Sequence, residues 1–429
     1  MAAVNPVSRG EKLLNAAMLD QYLYRRALPG PWVVEGCPEG DFAAAVVIPA
    51  LAEGESLWAT LASLAENPAE YLARTLILVV VNHSEKAEAS IRAANLADLC
   101  RLREWPASPL RLAWVDAAGP GRELPAKSAG VGLARKLGFD HALTRLSTGC
   151  GHPFLVSLDA DTLVRPDYLP ALFRHFDGAE AGGAVLPFAH QPGRDAAEER
   201  AIERYELYLR HYVLGLELAG SPYAFHAVGS ALACRADAYI KAGGMNRRGA
   251  GEDFYFLQQL AKTSGVAPVA GTLVRPSSRP SGRTPFGTGR SVARLLAGEE
   301  FAVGFYEPRA FRVLGQWLAL VAEQGPCSGS LLLGMARQCS EELAAYLEGL
   351  SFVSTWERLR RNHPRPEALH RAFHGWFDGL ATLRLIHALC RERLAPEAAL
   401  PELLAWAGLP AVGGPGEFLE RLRERQSAL

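Results

Sequence analysis

Between residues 43 and 159, short apolar runs alternate with longer amphipathic stretches, and this alternation constrains the fold more than any other feature of the sequence. The apolar runs are rich in β-branched residues and read AAAVVIP, TLILVVV, RLAWVD and HPFLVSLD. Strands that are apolar on both faces and alternate with helices are typical of a parallel sheet covered by crossover helices. The sequence therefore predicts an α/β fold with a doubly wound, mostly parallel sheet.

The flanking regions follow other patterns. A helical pattern over 10–28 gives way to a Pro/Gly-rich break, and beyond residue 165 the alternation loosens. From about residue 310 the pattern is helical throughout. We therefore predict three regions: an N-terminal helical extension (1–40), an α/β domain (41–290, with halves 41–165 and 166–290) and a C-terminal helical subdomain (291–429).

The composition excludes several classes of protein. Lys and Arg total 45 and Asp and Glu total 46, so the net charge of −1 gives no bulk attraction for nucleic acid. The seven cysteines are scattered, with no CxxC pair, which argues against a disulfide framework and fits a reducing compartment. The N-terminal segment carries charges where a signal peptide has its apolar core, and no run of about 18 apolar residues occurs. We expect a cytoplasmic protein without a transmembrane span.

A pair of aspartates follows the fourth apolar run. Open α/β sheets bind ligands beyond the carboxyl ends of their strands, where Asp159 and Asp161 fall. Two hard oxygen ligands suit Mg²⁺ or Mn²⁺ that also carries phosphate oxygens. A capped turn is the structural alternative, since aspartates are common at strand ends.

Together these segments resemble the nucleotide-sugar glycosyltransferases of family 2, including bacterial enzymes, which have the GT-A fold and a DxD element. The stretch LVSLDAD is similar to the DxD strand, and VVIPALAEGESLWATLASL resembles the opening strand and helix. LVVVNHS resembles the second strand, and AKSAGVGLARKLGFD the helix before DxD. GSALACRADAYIKAGGMNRRGAGEDFYFLQQL resembles the acceptor-side segment. The resemblance covers about residues 43–275, and it depends on five weak motifs in the expected order.

The resemblance implies a donor site for a nucleotide-diphosphate sugar. It assigns Ala50, Glu53 and Asn82 to the base and ribose, and it places Lys127 and Arg135 near the donor nucleotide. Asn82 stands where aspartate is commoner, so UDP and GDP remain open; a turn residue is its structural alternative.

The resemblance also implies the chemistry. Asp159 contacts the ribose or the metal, Asp161 holds Mn²⁺ or Mg²⁺, and Asp253 removes a proton from a hydroxyl acceptor in an inverting transfer. Glu252 helps to bind acceptor or sugar; in a retaining enzyme the acidic pair would only orient substrate. Acidic residues at a helix N-terminus also complement its dipole, which is the structural alternative for Glu252 and Asp253.

Two further groups extend the predicted site. Arg283 belongs to a glycine-rich loop over 275–291 that is able to close on a diphosphate, with a solvated loop as the alternative. His226, Gly229 and Ser230 are candidates for the sugar pocket, although a satisfied structural histidine explains His226 equally well.

The sequence departs from the family in two ways. No histidine occurs between His226 and His363, so a third metal ligand is unassigned. The QxxRW signature of processive synthases is absent, which favours transfer of one sugar per encounter and leaves a peripheral membrane contact open. The alternatives are a sugar-phosphate nucleotidyltransferase and a non-catalytic binding protein on the same fold.

GRELPAKS, residues 121–128, nearly matches a P-loop. Ala126 replaces the required second glycine, Pro125 removes an N–H donor, and the segment follows the third apolar run rather than the first. These departures disfavour a triphosphate site and favour a helix start, with Ser128 as the candidate N-cap of a helix over 129–143.

Overall fold

A computed structural model describes residues 15–36, 40–105, 108–147, 151–283, 286–325 and 327–428. The chain divides into two compact units, which are described separately. The first contains residues 1–188 and 228–276, and the second contains residues 189–227 and 277–429. Residues 189–227 therefore belong to the same unit as the C-terminal helices. From the sequence we predicted them in the acceptor half of the α/β domain.

The first unit contains every strand in the described part of the chain. In order these are β1 (Val34–Gly36), β2 (Ala44–Ala50), β3 (Thr75–Asn82), β4 (Arg111–Ala117), β5 (Phe154–Ser157), β6 (Leu163–Val164), β7 (Gly183–Val185), β8 (Leu232–Arg235), β9 (Val266–Pro268) and β10 (Val274–Arg275).

The helices up to residue 263 are α1 (Ala16–Arg26), α2 (Glu55–Ala65), α3 (Ala69–Leu72), α4 (Ala89–Arg103), α5 (Val131–Leu143), α6 (Tyr168–Gly178), α7 (Ala196–Leu218), α8 (Ala236–Lys241) and α9 (Glu252–Thr263). Of these, α7 belongs to the second unit and the others to the first.

Eight strands form one mixed sheet in the order β1-β4-β3-β2-β5-β8-β7-β9. The central strands β4, β3, β2 and β5 are parallel, whereas β1 and β8 pair antiparallel with β4 and β5. The chain runs outward from β2 through β3 to β4 and then returns across β2 to β5. Right-handed crossovers of this kind place α2–α4 on one face and α5 on the other. The predicted α/β, doubly wound sheet is confirmed.

The central strands form the core of this unit. Every residue of β2 and β3 is buried, as their unbroken apolar sequences require. Helix α5 packs closely on β2 because Gly138 has no side chain: an added Cβ would lie 2.3 Å from Cγ1 of Val47. This close approach determines how deep α5, and the side chains it carries, lie against the sheet.

The second unit is helical. Besides α7 it contains α10 (Thr288–Leu296), a 3₁₀ turn (Glu300–Val303), α11 (Pro308–Gln324), α12 (Gly329–Cys339), α13 (Glu341–Gly349), α14 (Phe352–Asn362), α15 (Pro366–Trp376), α16 (Gly379–Leu389), α17 (Pro396–Trp406) and α18 (Pro415–Ala428). Its core is aromatic and aliphatic, with Trp317 and Trp356 almost fully buried. No helix in the described ranges has both the length and the apolar character needed to cross a membrane.

A buried carboxylate links α7 to α18 inside the second unit. Glu206 is 0% exposed and accepts hydrogen bonds from His190 Nδ1 at 2.9 Å, Arg210 Nε at 2.9 Å and Arg423 Nε at 2.8 Å. Burial alone would raise the pKa of Glu206, but these donors outweigh it and hold the pKa well below the usual range of a glutamate.

His226 also lies in the second unit, where it has a structural partner. Its Nε2 lies 2.9 Å from Oε1 of Gln426, and burial lowers the pKa of His226 to about 3. A neutral, hydrogen-bonded histidine fits the structural alternative for this residue.

Several local predictions need correction. Ser128 is not an N-cap: α5 begins at Val131, after Gly130, and its first turn receives no side-chain cap. The predicted loop over 275–291 contains the start of α10 at Thr288. Strand β1 lies in the stretch that the sequence analysis treated as a break, because its pairing with β4 outweighs its weak local pattern.

The predicted helix over 10–28 is described only from Ala16 to Arg26, and residues 10–14 lie outside the described ranges. The five cysteines within those ranges (Cys100, Cys234, Cys327, Cys339 and Cys390) are free thiols, and Cys37 and Cys150 lie outside.

Candidate functional site

The direction of strand addition reverses between β2 and β5, and the candidate site lies at the carboxyl ends of these strands. From β2 the chain continues toward one edge of the sheet, and from β5 it continues toward the other edge. The place where the strand order reverses is the topological switch point, and a crevice opens there between the two connections. Ala50 ends β2, and Asp159 follows β5 by two residues. Two of the predicted donor-site residues thus lie on either side of this crevice.

Arg135 forms the centre of an ion-pair cluster in the crevice. Its guanidinium, on α5, bonds both Oδ1 of Asp159 and Oε1 of Glu252. The side chains of Arg135 and Glu252 are each 3% exposed, whereas that of Asp159 is 35% exposed. Gly229 allows this arrangement, since an added Cβ would lie 2.4 Å from a guanidinium nitrogen of Arg135.

The turn carrying the two aspartates is fixed by backbone bonds. The hydroxyl of Thr60 on α2 donates to the carbonyl of Ala160 at 3.0 Å, and the N–H of Thr162 donates to the carbonyl of Asp159 at 3.1 Å. Asp161 is partly exposed at this turn. Its position beside Asp159 is therefore set by the fold rather than by a flexible loop.

Glu252 and Asp253 begin helix α9. Glu252 points to Arg135, so it does more than complement the helix dipole. Burial raises the pKa of Asp253, the Arg135 charge and the Phe254 N–H lower it, and the Asp159 charge raises it again. The net pKa of Asp253 is higher than usual, which makes its carboxylate a stronger base than an exposed aspartate.

The end of β3 carries Asn82, which is 5% exposed. Its Nδ2 donates to the carbonyls of Ala50 at 3.0 Å and Val80 at 3.1 Å. Because the amide N–H groups serve the backbone, the group that Asn82 offers to a ligand is its carbonyl oxygen, an acceptor. Glu53 is partly exposed in the loop after β2.

Two of the predicted donor-site residues, Lys127 and Arg283, are exposed. Lys127 is exposed in a turn closed by bonds from the N–H groups of Ser128 and Ala129 to the carbonyl of Pro125. Arg283 is exposed and belongs to the second unit. Within the first unit the structure therefore brings together Arg135, Asp159, Glu252 and Asp253, and Lys127 forms no hydrogen bond or ion pair with them.

The carboxylate oxygens of Asp159 and Asp161 fit only a metal ion that also binds water and substrate phosphates. Within the ranges that the structure describes, no three His, Cys, Asp or Glu side chains are arranged around a common point for an ion. One oxygen of Asp159 is engaged by Arg135, so Asp159 and Asp161 offer few remaining oxygens. Mg²⁺ and Mn²⁺ are commonly held by one or two carboxylates together with water and substrate phosphates, and these two residues fit that arrangement.

Two residues of α4 that were not predicted from the sequence, Asn95 and Asp98, lie near the site. Both are buried, at 0% and 4% exposure. They fall at helical spacing with the buried Leu99 and Leu102, so polar residues on an apolar helix face were a usable signal.

Comparisons with known proteins give only distant similarities. No protein-family model matches the sequence, and no curated protein sequence matches it. The crystal structure of S. aureus TarS 1–349 in complex with UDP-GlcNAc is 14% identical, covers 76% of this chain and 88% of its own, and has a TM-score of 0.37.

The mannosyltransferase PcManGT from Pyrobaculum calidifontis, in complex with GDP-Man and Mn²⁺, is also 14% identical. The match covers 84% of this chain and 93% of that one, again with a TM-score of 0.37. Scores this low do not establish a common fold, so a functional assignment depends on the chain's own residues.

Proposed function

We propose that the protein is a nucleotide-sugar glycosyltransferase that moves one sugar from a nucleoside-diphosphate donor to a hydroxyl acceptor. The observation that supports it is the buried Arg135 bridging Asp159 and Glu252 beside Asp253, at the switch point of a doubly wound sheet. Carboxylates outnumber the guanidinium there, so the crevice favours a divalent cation and the hydroxyl-rich part of a substrate over a bare anion.

In this proposal Asp159 and Asp161 hold Mn²⁺ or Mg²⁺, which, when bound, supplies positive charge to the diphosphate leaving group. Arg135 orients the Asp159 and Glu252 carboxylates, and both are kept from rotating by its two bonds. Ala50, Glu53 and Asn82 bind the nucleoside.

Asp253 takes the proton from the acceptor hydroxyl as its oxygen bonds to the anomeric carbon, while the bond from that carbon to the nucleoside diphosphate breaks on the opposite face. This displacement inverts the configuration at the anomeric carbon. Its raised pKa brings the carboxylate closer to the basicity that a general base needs near neutral pH. Glu252 cannot readily take this role because its charge is already engaged by Arg135.

The test is donor binding and hydrolysis. The full chain with Mn²⁺ is incubated with UDP-, GDP- and ADP-sugars, including UDP-GlcNAc and GDP-Man, and thermal shift and sugar release are measured. We expect one base to stabilise the protein and Asp161→Ala to abolish release. Asp167→Ala is the matched control, because this aspartate bonds Thr272 and Arg165 instead of a site residue.

If no nucleotide sugar stabilises the protein and Asp161→Ala behaves as the control, the proposal is rejected. A response to a nucleoside triphosphate with a sugar phosphate would instead indicate a nucleotidyltransferase. The cytoplasmic location is part of the same proposal and is supported by the five free cysteines.

A further inference from the structure

Helix α4 carries two buried polar side chains that the proposed chemistry does not use. Asn95 is 0% exposed and Asp98 is 4% exposed, and their spacing of three places them on one face of the helix. Burying such groups is unfavourable unless they are hydrogen-bonded. Their partners therefore indicate why they lie there.

Asn95 joins the two segments that are proposed to bind the nucleoside. Its Oδ1 accepts from the N–H of Ala52 at 2.8 Å, in the loop after β2. Its Nδ2 donates to the carbonyl of Asn82 at 2.9 Å and faces Nδ1 of His83 at 2.9 Å, at the end of β3. All the hydrogen-bonding groups of this amide are thus directed at the backbone and side chains around the crevice.

The loop that Asn95 holds is strained. Ala52 has a φ of 52°, a left-handed conformation that costs a residue with a Cβ about 1 kcal/mol. Gly54 in the same loop also has a φ of 52°. The carboxylate of Asp98 faces the same loop: burial raises its pKa, and the backbone N–H groups of Gly54 and Glu53 lower it. Asn95 therefore bonds Ala52, and Asp98 lies against residues 53 and 54, so α4 supports a conformation that the loop would not favour alone.

The same contacts fix the protonation of His83, which is 3% exposed. A backbone N–H can only donate, so Ala52 determines which end of the Asn95 amide is oxygen. The other end is the NH₂ group, which donates to His83 Nδ1, and this nitrogen must therefore be unprotonated. Burial and the charge of Arg92 lower the pKa of His83, so the ring is neutral and carries its proton on Nε2. That buried Nε2–H makes no hydrogen bond within the described protein.

We propose that Asn95 and Asp98 are positioning residues for donor binding, which clamp residues 52–54 and the end of β3 in the shape that receives the nucleoside diphosphate. The inference rests on the proposed function, because it assigns the preorganisation of that same donor site to α4. If the loop kept its shape in only about a tenth of the molecules, the apparent Kd for nucleotide would rise about tenfold.

The experiment measures Kd for UDP and GDP with Mn²⁺ by calorimetry. We expect Asn95→Ala to weaken binding about tenfold. Asp98→Asn keeps the shape of the side chain but replaces a charged hydrogen-bond acceptor by a neutral one. We therefore expect the Kd for nucleotide to rise about threefold. The matched control is Asn67→Ala, since Asn67 is 4% exposed and bonds Leu64, Arg165 and Leu169, away from the site. It should lower the melting temperature and leave Kd within about twofold of the wild type.

A second measurement does not need nucleotide. Long-range ¹⁵N–¹H NMR of labelled histidines, with His83 assigned by His83→Gln, should show an Nε2–H tautomer in the wild type and a mixture in Asn95→Ala. An Nδ1–H tautomer in the wild type overturns the clamp, even if Asn95→Ala fails to fold.

The outcomes separate the two proposals. Nucleotide binding that is unchanged in Asn95→Ala, or weakened equally in Asn67→Ala, overturns this inference and leaves the proposed function standing. If the wild type binds neither UDP nor GDP and no nucleotide sugar stabilises it, the proposed function and the role of α4 in donor binding both fail. The tautomer alone then reports whether Asn95 holds the loop.

Discussion

Replacing Arg135 by methionine removes the cation at the centre of the candidate site. The variant leaves Glu252, 3% exposed, as a buried carboxylate without its guanidinium, whereas Asp159, 35% exposed, can be solvated by water. Breaking a buried ion pair by removing one partner costs about 3–5 kcal/mol, and Glu252 should account for most of that loss. We therefore expect the free energy of unfolding of Arg135→Met to fall by about this amount.

Urea unfolding measures the loss, and a double-mutant cycle locates it. Adding Glu252→Gln to Arg135→Met removes the buried charge that has lost its partner. The double variant should therefore lose about 1–3 kcal/mol less unfolding free energy than the sum of the losses of the two single variants. Arg122→Met is the control: its side chain is 39% exposed, and without it the buried Asp116 keeps Arg103 and the N–H groups of Ala118 and Gly119, so the loss should be about 1 kcal/mol or less. Equal losses for Arg135→Met and Arg122→Met would refute the reasoning from burial.

The same variant tests the role of Asp253. The Arg135 charge lowers the pKa of Asp253, so its removal raises that pKa further. A general base must be ionised to act, and a higher pKa means that ionisation occurs at higher pH. In a plot of the transfer rate against pH, the rise on the acidic side should therefore move to higher pH in Arg135→Met. If that rise occurs at the same pH as in the wild type, Asp253 is not the base.

Three further predictions concern single residues. Asp253→Asn should lower sugar transfer by at least about 100-fold while the Kd for nucleotide stays near that of the wild type; a variant that retains transfer excludes Asp253 as base. Lys127→Ala should weaken donor binding without creating any dependence on ATP. If the variant binds donor normally, GRELPAKS is only the turn that precedes α5 and has no role in donor binding. Glu206→Gln should cost about 3–5 kcal/mol at pH 7 in urea unfolding, because Arg210 remains buried with its charge. Because folding lowers the pKa of Glu206, its ionised form stabilises the fold fully above the usual glutamate pKa, and this contribution decreases as the pH falls. The wild type should therefore lose more stability than Glu206→Gln between pH 5 and about pH 2.

The alternation of apolar runs and helical patterns was sufficient to predict the α/β class. An unbroken apolar strand such as β3 can be buried only between two layers, and its period is a local property of the sequence. For the same reason, the aspartates after β5 could be placed at the ligand-binding end of the sheet.

Local pattern failed where pairing or packing decided the structure. Strand β1 exists because it pairs with β4, and α5 starts at Val131 rather than after Ser128. The grouping of α7 with the C-terminal helices depends on contacts such as those of Glu206 with Arg423, which is 217 residues away along the chain.

The sequence by itself determined which residue types follow each strand, and hence that acidic and polar side chains line the carboxyl edge of the sheet. Only the tertiary structure decided that Arg135 lies between Asp159 and Glu252, 24 and 117 residues away, and that Asn95 holds the loop at Ala52. The physical reason is that periodicity encodes which face of an element is buried, whereas the partner of a buried charge or amide depends on which elements meet there.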